Sequence, residues 1–506
     1  MYAKVESLGL NGLDAFSVTV EADISTGLPR FDIVGLPDMA VRESRERGRA
    51  TIKNGGYQFP VSRMTVNIAP ADVKKEGAVY DLPVFVALMK ASGQIHGSTD
   101  GCAFLGELSL DGEIRPCTGV LPMVLCAREK GLHTVFVPAA NRDEGSIVEG
   151  IDVLPVAHVR QVLDHLQGKA PVEPCYRAFS PEEDTLEYLD FADVKGQQNA
   201  KRALEIAAAG GHNCLMIGPP GTGKSMLAKR LPSILPEMTF EKQIETTKIY
   251  SIAGALPSGT RLISHRPFRS PHHTVSPQGL TGGGAVPKPG EISLAHNGVL
   301  FMDEFPEFDR RTKESLRQPL EDGVITISRA GGSLTYPSNI MVVAAMNPCP
   351  CGFLGHPTKD CTCSQAAVNR YRDKVSGPIL DRIDLHVEVQ SVDYAQLADT
   401  TRGEPSSAIR QRVNRARQMQ ARRFAGTGIP CNAQMTPPMV GRFCELDSRC
   451  DALMKSAFER MGLTARSHDR VLRVARTIAD LDGAEHIGVE HLSEAIQYRN
   501  TDILKG

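Results

Sequence analysis

The residues with the clearest chemistry lie in the stretch Gly218-Pro-Pro-Gly-Thr-Gly-Lys-Ser225. This stretch matches the phosphate-binding pattern G-x-x-x-x-G-K-[ST] at every fixed position. In that pattern the loop N–H groups converge on phosphate oxygens, with the positive end of the following helix behind them. We expect Lys224 to reach the β- and γ-phosphates and Ser225 to hold Mg²⁺. The predicted cradle comprises Gly218, Pro219, Pro220, Gly221, Thr222, Gly223, Lys224 and Ser225.

Two acids and one amide supply the rest of a hydrolytic site. Asp303 and Glu304 follow the apolar run 298–302, and Asn347 follows the apolar run 340–346. Such runs indicate central parallel strands, whose C-terminal ends deliver polar side chains to one crevice. We expect Asp303 to hold the metal through water and Glu304 to activate the attacking water. Asn347 is expected to orient that water or to sense the γ-phosphate.

The cradle requires a strand before it and a helix after it. Residues 212–217 predict a short buried strand, and a helix is expected to begin near residue 226. An alanine-rich helix at 200–210 ends at a glycine pair that suits a C-cap. These alternating elements predict an α/β fold.

The composition limits the class of protein. Lysines and arginines number 57 and acidic residues 59, so the formal net charge is −2 and the pI is about 6.7. No global basic field therefore indicates nucleic-acid binding, and any such contact must come from local patches. No run approaches the ~18 apolar residues of a membrane span, and no export signal is seen. We expect a cytoplasmic protein without a membrane partner.

Four of the 12 cysteines lie close together in the sequence. Cys349, Cys351, Cys361 and Cys363 bracket a loop with no helix or strand between them, so their thiolates are able to converge tetrahedrally. A structural Zn²⁺ site is the favoured interpretation. Free thiols and redox pairing are the alternatives.

Residues 1–170 are predicted to form a compact α/β domain, and the Pro-rich, acidic segment 171–190 is predicted to be a linker. We expect strands at 16–23 and 64–68 and helices at 39–53 and 82–91. The phrases GLPRFDIVGLPDMAV, NIAPADVKKEGAVYDLP and GELSLDGEIRPCTGV resemble the Lon-protease-like domain of magnesium-chelatase-like proteins.

The same resemblance argues against peptidase chemistry. In Lon peptidases a serine lies two residues after the glycine of the Lys-Asp/Glu-Gly motif, and here Val79 occupies that position. The lysine partner is expected shortly after Gly119, where this chain has Val-Leu-Pro-Met-Val. Neither half of a Ser–Lys pair is in place, so we expect the fold without the activity.

Between the cradle and the acid pair, residues 266–290 are predicted to form a loop-rich insertion. It carries Arg266, Arg269, His272, His273 and Lys288. A helix at 311–320 and a hairpin at 324–336 that includes Arg329 follow the acid pair. This order resembles the pre-sensor-1-hairpin class of AAA+ motors. The resemblance implies a doubly wound parallel sheet with inserted hairpins at 191–386, whose insertion and hairpin touch DNA or a partner in a ring's channel.

Residues 387–506 are predicted to form a helical lid. An arginine-rich helix at 407–426 presents either a solvated face or a nucleic-acid contact, and amphipathic helices are expected at 464–479 and 489–499. By similarity to the motor family, Arg466 would reach the γ-phosphate, with Arg470 as the less favoured candidate.

Arg382 lies in the phrase SGPILDRID. Charge alone predicts a salt-bridged helix end there. The phrase resembles the family's S-G-P-L-L-D-R motif, which implies that Arg382 is an arginine finger inserted into the neighbouring subunit's site.

The phrases RPFRSPHHTVS, EISLAHNGVLFMDEF and AAMNPCPCG resemble the YifB/ComM family of magnesium-chelatase-like AAA+ ATPases. The resemblance implies a hexameric ring that uses ATP and Mg²⁺ to move branched or single-stranded DNA. It implies a helicase that promotes branch migration in homologous recombination and natural transformation, with recombination proteins as partners.

Three other functions are compatible with parts of the sequence. An ATP-dependent remodeller of a protein partner, like the chelatase motor, is the principal alternative. The residue at position 79 and the missing lysine disfavour an ATP-dependent protease. A nonenzymatic ATP-binding scaffold is disfavoured by Glu304.

Overall fold

The structure is a computed structural model that describes residues 1–175, 189–257, 259–284, 287–329, 332–356, 358–392 and 401–499. Most of the linker predicted at 171–190 lies outside these residues, as do the tip of the predicted hairpin and parts of the predicted lid. The chain divides into two compact units. The first comprises residues 1–184, 240–264 and 330–334, and the second comprises residues 185–239, 265–329 and 335–506.

A mixed sheet forms the centre of the first unit. The strands of this unit are β1 (Tyr2–Asn11), β2 (Asp14–Ser25), β3 (Arg30–Val34), β4 (Arg63–Ala69), β5 (Cys102–Phe104), β6 (Glu107–Leu108), β7 (Ile114–Arg115), β8 (Thr134–Pro138) and β9 (Asp152–Val156). Seven of them pair in the order β3-β4-β2-β1-β5-β8-β9, and β6 pairs with β7. Alternate side chains of β2 are buried, as expected for strands with one face on a core.

Helices pack on both faces of this sheet, with Asp81–Ala91 on one face and Val120–Glu129 on the other. They are Met39–Asn54, Asp81–Ala91, Val120–Glu129, Arg142–Gly145, Val159–Leu166 and Phe240–Ala253. The strands and helices predicted at 16–23, 64–68, 39–53 and 82–91 are confirmed to within two residues at each end. The last helix belongs to the first unit although its sequence lies after the cradle.

The second unit contains β10 (Cys214–Ile217), β11 (Phe268–Arg269), β12 (Gly282–Gly283), β13 (Lys288–Pro289), β14 (Val299–Met302), β15 (Val324–Arg329), β17 (Met341–Met346) and β18 (Leu385–Glu388). It also contains the second half of β16 (Gly332–Pro337), which pairs with β15 in the hairpin. Five of these strands form a parallel sheet in the order β11-β14-β17-β10-β18. Its central strands β10, β14 and β17 are buried at every residue, which explains their continuous apolar sequences.

Helices connect the strands of the second unit. They are Gln198–Gly210, Lys224–Arg230, Pro277–Thr281, Glu291–Leu294, Arg310–Glu314, Arg317–Asp322, Gln365–Arg372 and Gly377–Leu380. The helix predicted at 200–210 is confirmed, and Gly211 ends it in a left-handed conformation with φ of 74°. The mixed α/β architecture with a parallel sheet is therefore as predicted.

The helix expected at 311–320 is interrupted, so that prediction is wrong in its continuity. The structure has one helix at Arg310–Glu314 and a second at Arg317–Asp322. Pro319 has no N–H to donate to the carbonyl of Ser315, and the break falls there. Asp309 caps the first helix by accepting a hydrogen bond from the Arg311 N–H at 2.9 Å.

Among the described residues of the C-terminal part of the second unit there are five α-helices: Ser406–Arg423, Pro437–Phe443, Ser448–Met461, Ala465–Leu481 and Val489–Gln497. The apolar face predicted for the fourth is buried at Val471, Leu472, Ala475 and Ile478. Several arginines of the first bind within the unit, since Arg417 donates to the Ala208 carbonyl and Arg423 pairs with the buried Asp480. The arginine-rich helix therefore presents less free charge than its sequence indicates.

Candidate functional site

The predicted cradle lies between the end of β10 and the helix Lys224–Arg230. Gly221 and Gly223 have φ of 81° and 88°, a region that side chains with a Cβ rarely enter. At Gly218 a Cβ would collide with the carbonyl oxygen of Val389, because β18 runs beside the loop. These backbone requirements explain why the sequence has glycine at all three positions.

Lys224 is buried in the loop. Its ammonium donates to the carbonyl oxygens of Gly218 at 2.7 Å and Pro219 at 2.8 Å, and to Oδ1 of Asn347 at 3.2 Å. Burial lowers the pKa of Lys224 to about 8, against the opposing effect of the Asp303 charge. The structure thus brings the predicted lysine and the predicted amide into direct contact.

Ser225 and Asp303, the two predicted magnesium ligands, also lie together. The Ser225 hydroxyl donates to Oδ2 of Asp303 at 2.6 Å. A hydroxyl and a carboxylate at the end of adjacent elements are hard oxygen ligands of the type that Mg²⁺ prefers. The residues present therefore fit a magnesium ion bound beside the phosphates of a nucleotide.

Glu304 occupies an unusual backbone conformation next to Asp303. Its φ of 51° and ψ of 45° are left-handed, and a non-glycine residue held there is often functional. Its side chain is 61% exposed and lies 3.1 Å from Nδ1 of His273.

The turn that follows Glu304 is held by Lys313. Its buried ammonium donates to the carbonyls of Pro306 and Phe308 at 2.9 and 2.7 Å.

His273 lies in the predicted insertion, but its contact with Glu304 was not predicted. Phe268–Arg269 is the edge strand β11, so His273 lies a few residues beyond a strand that runs parallel to β14. Parallel strands end at the same edge of a sheet, so recognition of this two-residue strand would have predicted that His273 lies near Glu304. The rings of His272 and His273 lie in contact, with centroids 4.1 Å apart and planes tilted by 34°.

Other cations of the insertion are used inside the second unit. Arg269 forms two hydrogen bonds of 2.7 Å with Glu291, and Arg266 donates to the Asn297 carbonyl at 2.7 Å. Lys288 is exposed on β13. The side chain of Arg329 lies outside the described residues. The insertion therefore offers fewer free cations than its sequence indicates.

The four predicted cysteine ligands converge. Their Sγ atoms all lie within 4.8 Å of one another, and those of Cys349, Cys351 and Cys361 are separated by 3.4–3.6 Å. Four thiolates around Zn²⁺ lie about 3.8 Å apart when each Zn–S distance is about 2.3 Å. The four side chains therefore fit a zinc ion.

The cysteine loop packs against the nucleotide cradle. Gly352 has φ of 84°, and a Cβ at this position would lie 2.6 Å from Cδ of Pro220 and 3.8 Å from Cγ of Asn347. Cys349 follows Asn347 by two residues. The position of the loop is therefore tied to two residues of the predicted ATP site.

Arg382 and Arg466 make no contact with Lys224, Asp303 or Glu304 within the described chain. The mostly buried Arg382 pairs with Glu321 and donates to the Pro378 carbonyl at 2.6 Å. This arrangement matches the salt-bridged helix end that charge alone predicted.

Arg466 is exposed in the first turn of Ala465–Leu481. Arg470, the less favoured candidate, instead pairs with the buried Asp384 at 2.6 Å. Burial raises the pKa of Asp384, but the charge of Arg470 and a hydrogen bond from the Asn213 backbone N–H outweigh burial and lower the pKa below its usual range.

A glycine-rich loop between a parallel strand and a helix, with an acid at the end of a nearby strand, defines a P-loop nucleotide-binding domain. The family described as "Magnesium chelatase, subunit ChlI" matches residues 190–397. "Subunit ChlI of Mg-chelatase" matches residues 20–141, and "Magnesium chelatase, subunit ChlI C-terminal" matches residues 403–499. The second unit thus contains a domain of the AAA+ ATPase type.

Full-length relatives support the same assignment. YifB of Escherichia coli is 43% identical over 97% of this chain and 96% of its own length. The competence protein ComM of Haemophilus influenzae is 41% identical over 98% of this chain and 97% of its own length. The DNA replication licensing factor Mcm6 of Drosophila melanogaster is 22% identical over 62% of this chain and 37% of its own length. The chain belongs to the YifB/ComM family of magnesium-chelatase-like proteins.

Among the described residues, none of the helices has both the length and the apolar character needed to cross a membrane.

Nucleotide binding should weaken at alkaline pH. Because burial lowers the pKa of Lys224 to about 8, the positive charge that would pair with phosphate is lost as the pH rises through that value. The affinity for Mg·ATP should fall by up to about tenfold per pH unit above about pH 8. Titration with a fluorescent, non-hydrolysable ATP analogue measures this. Lys224→Met should bind weakly at every pH, and a wild-type affinity that stays constant to about pH 10 would contradict the role of this charge.

Proposed function

We propose that this chain is a cytoplasmic, ATP-hydrolysing AAA+ ring motor that acts on DNA. Its activity would be that of a helicase that promotes branch migration during homologous recombination and natural transformation. The proposal is carried by one observation, the cluster in which Lys224 contacts Asn347 and Ser225 contacts Asp303. The names of the Haemophilus and Drosophila relatives support DNA as the substrate, since one is a competence protein and the other a replication factor.

The cluster supports the following roles. Ser225 and Asp303 would hold Mg²⁺, which would supply charge neutralisation for the β- and γ-phosphates. Lys224 turns from its loop carbonyls to the phosphates. Glu304 accepts a proton from the attacking water, and His273 orients the Glu304 carboxylate. Asn347 orients the same water, since its amide already lies beside the lysine.

Two further arginines complete the proposed hydrolytic site. Arg382 acts as a finger in the site of the neighbouring protomer of a hexamer, where such a residue contributes about 10³–10⁵ in rate. In the described structure Arg382 pairs with Glu321. In the proposed ring, the γ-phosphate of the neighbouring site would take the place of this carboxylate as the partner of the guanidinium. Arg466, exposed at the start of its helix in the lid, is the proposed contact to the γ-phosphate.

The first unit is proposed to be a Lon-protease-like domain without peptidase residues. Val79, at the position of the peptidase serine, lies in the short 3₁₀ turn Ala78–Tyr80. The helix Val120–Glu129, where the lysine partner is expected, contains no lysine. Recombination proteins are candidate partners of the protein.

The second candidate function is ATP-dependent remodelling of a protein partner. The match to the magnesium chelatase subunit favours it, because that description covers residues 190–397. The two functions share the ATP chemistry and differ in what stimulates it.

ATP turnover with and without a synthetic Holliday junction tests the proposal. The junction should stimulate turnover several-fold, and branch migration should separate it into duplex products, without strand cleavage, as ATP is consumed. Glu304→Gln should lower turnover by about 10²–10⁴-fold, because it removes the proposed general base. Glu459→Gln, an exposed change on the helix Ser448–Met461, is the matched control.

Turnover that is indifferent to junctions, forks and single strands would overturn the DNA motor and favour remodelling of a protein partner. Absence of ATP hydrolysis in the wild type would overturn both functions.

The cysteine cluster is proposed to hold a structural Zn²⁺ that supports the cradle. Purified protein should contain about one zinc per chain, and Cys363→Ser should lose it, whereas Cys102→Ser in the first unit should retain it. Removal of zinc by a chelator should lower the unfolding temperature, because binding contributes roughly 10–16 kcal/mol in small zinc sites. It should also weaken nucleotide binding through the contact between Gly352 and Pro220. Less than half a zinc per chain, with stability unchanged by chelator, would rule out this site.

A further inference from the structure

A cavity of about 470 Å³ opens beside the candidate catalytic residues. Glu304 and Asn347 line one side of it, and Arg370, Tyr371 and Lys374 line the other. The last three residues lie on or just after the helix Gln365–Arg372, which follows the cysteine loop. None of the roles described above uses this helix.

The two cations of the cavity differ in their surroundings. Lys374 is neutralised by Glu307, whose two carboxylate oxygens each lie 2.9 Å from its ammonium. Arg370 is exposed and has no carboxylate partner among the described residues. Its Nε donates to the Ala366 carbonyl of its own helix at 3.3 Å, which leaves both terminal nitrogens of the guanidinium available.

The helix that carries Arg370 is fixed to the catalytic residues. Val368 and Tyr371 face the core. Tyr371 belongs to the apolar core cluster that also contains Met346, the residue before Asn347. The helix is therefore packed against the strand end that carries Asn347, and Arg370 presents its charge to a defined position in the cavity.

The cavity lies where a released phosphate would leave the proposed site. Attack of water breaks the bond between the γ-phosphorus and the bridging oxygen of ADP and forms a new P–O bond, and Glu304 receives the proton. ADP then keeps its β-phosphate in the cradle beside Lys224. The inorganic phosphate is formed on the side of Glu304 and Asn347, both of which line the cavity.

We propose that this cavity is a binding site for inorganic phosphate, in which Arg370 is the principal ligand and through which the product leaves. The planar guanidinium offers two parallel N–H donors, a geometry that matches phosphate oxygens. The proposal rests on the ATPase function proposed above for its biological role, but the binding site itself is open to a test that needs no turnover.

Binding of labelled inorganic phosphate to the Mg·ADP-loaded protein, measured by equilibrium dialysis, tests the site directly. Arg370→Ala should weaken phosphate binding by about tenfold or more, since a charged hydrogen bond contributes that much. Arg370→Lys should recover part of the affinity. Arg317→Ala, which removes a partly exposed arginine outside the cavity, should bind phosphate as the wild type does. Affinity for ADP should be the same in all four proteins.

Equal phosphate affinity in the wild type and Arg370→Ala, or no phosphate binding to the wild type, would overturn the proposal. Unchanged phosphate binding together with loss of assembly in Arg370→Ala would assign the arginine to a neighbouring subunit's carboxylate and would also overturn it. A wild type that binds phosphate through Arg370 but does not hydrolyse ATP would contradict the proposed function and leave the site standing.

Discussion

The structure of the second unit depends on the parallel register of three buried strands. Ile217 at the end of β10 pairs with Met346 at the end of β17, and Met302 at the end of β14 pairs with Ala344. Because the three strands run in the same direction and stop at nearly the same level, the residues that follow them must meet at one edge of the sheet. The contact of Lys224 with Asn347 and that of Ser225 with Asp303 both follow from this register.

Three further features lie at the same edge of the parallel sheet: His273, the cysteine loop and the helix that carries Arg370. His273 reaches Glu304 from beyond the neighbouring strand β11, and Gly352 packs the cysteine loop against Pro220. The helix with Arg370 follows that loop and forms the far wall of a cavity that contains Glu304. In the proposed motor, the metal ligands, the general base and the phosphate site would thus share one rigid support. A displacement of one of these groups would therefore displace the others.

The sequence predicts this centre well where the signal is local. The cradle, the acid pair and Asn347 each follow a short apolar run. Because central parallel strands are buried on both faces, their sequences must be continuously apolar, and this makes them easy to recognise. Contacts between distant elements were not predictable. The pairing of His273 with Glu304 requires recognition of a two-residue edge strand, and the pairing of Arg382 with Glu321 joins residues whose helices are separated by the hairpin and β17. The helix Phe240–Ala253 packs in the first unit, which no periodicity of its sequence indicates.

The central claim is that Glu304 of one protomer and Arg382 of its neighbour complete a single ATP-hydrolysing site. Mixing two inactive variants tests it most directly, because a Glu304→Gln chain still carries Arg382 and an Arg382→Ala chain still carries Glu304. Each variant alone should bind ATP and hydrolyse it at least about 10²-fold more slowly than the wild type. ATP turnover should reappear in mixed assemblies, with a maximum near equal proportions. Full turnover by Arg382→Ala alone, or no recovery in mixtures shown by sedimentation to contain both chains, would contradict the account.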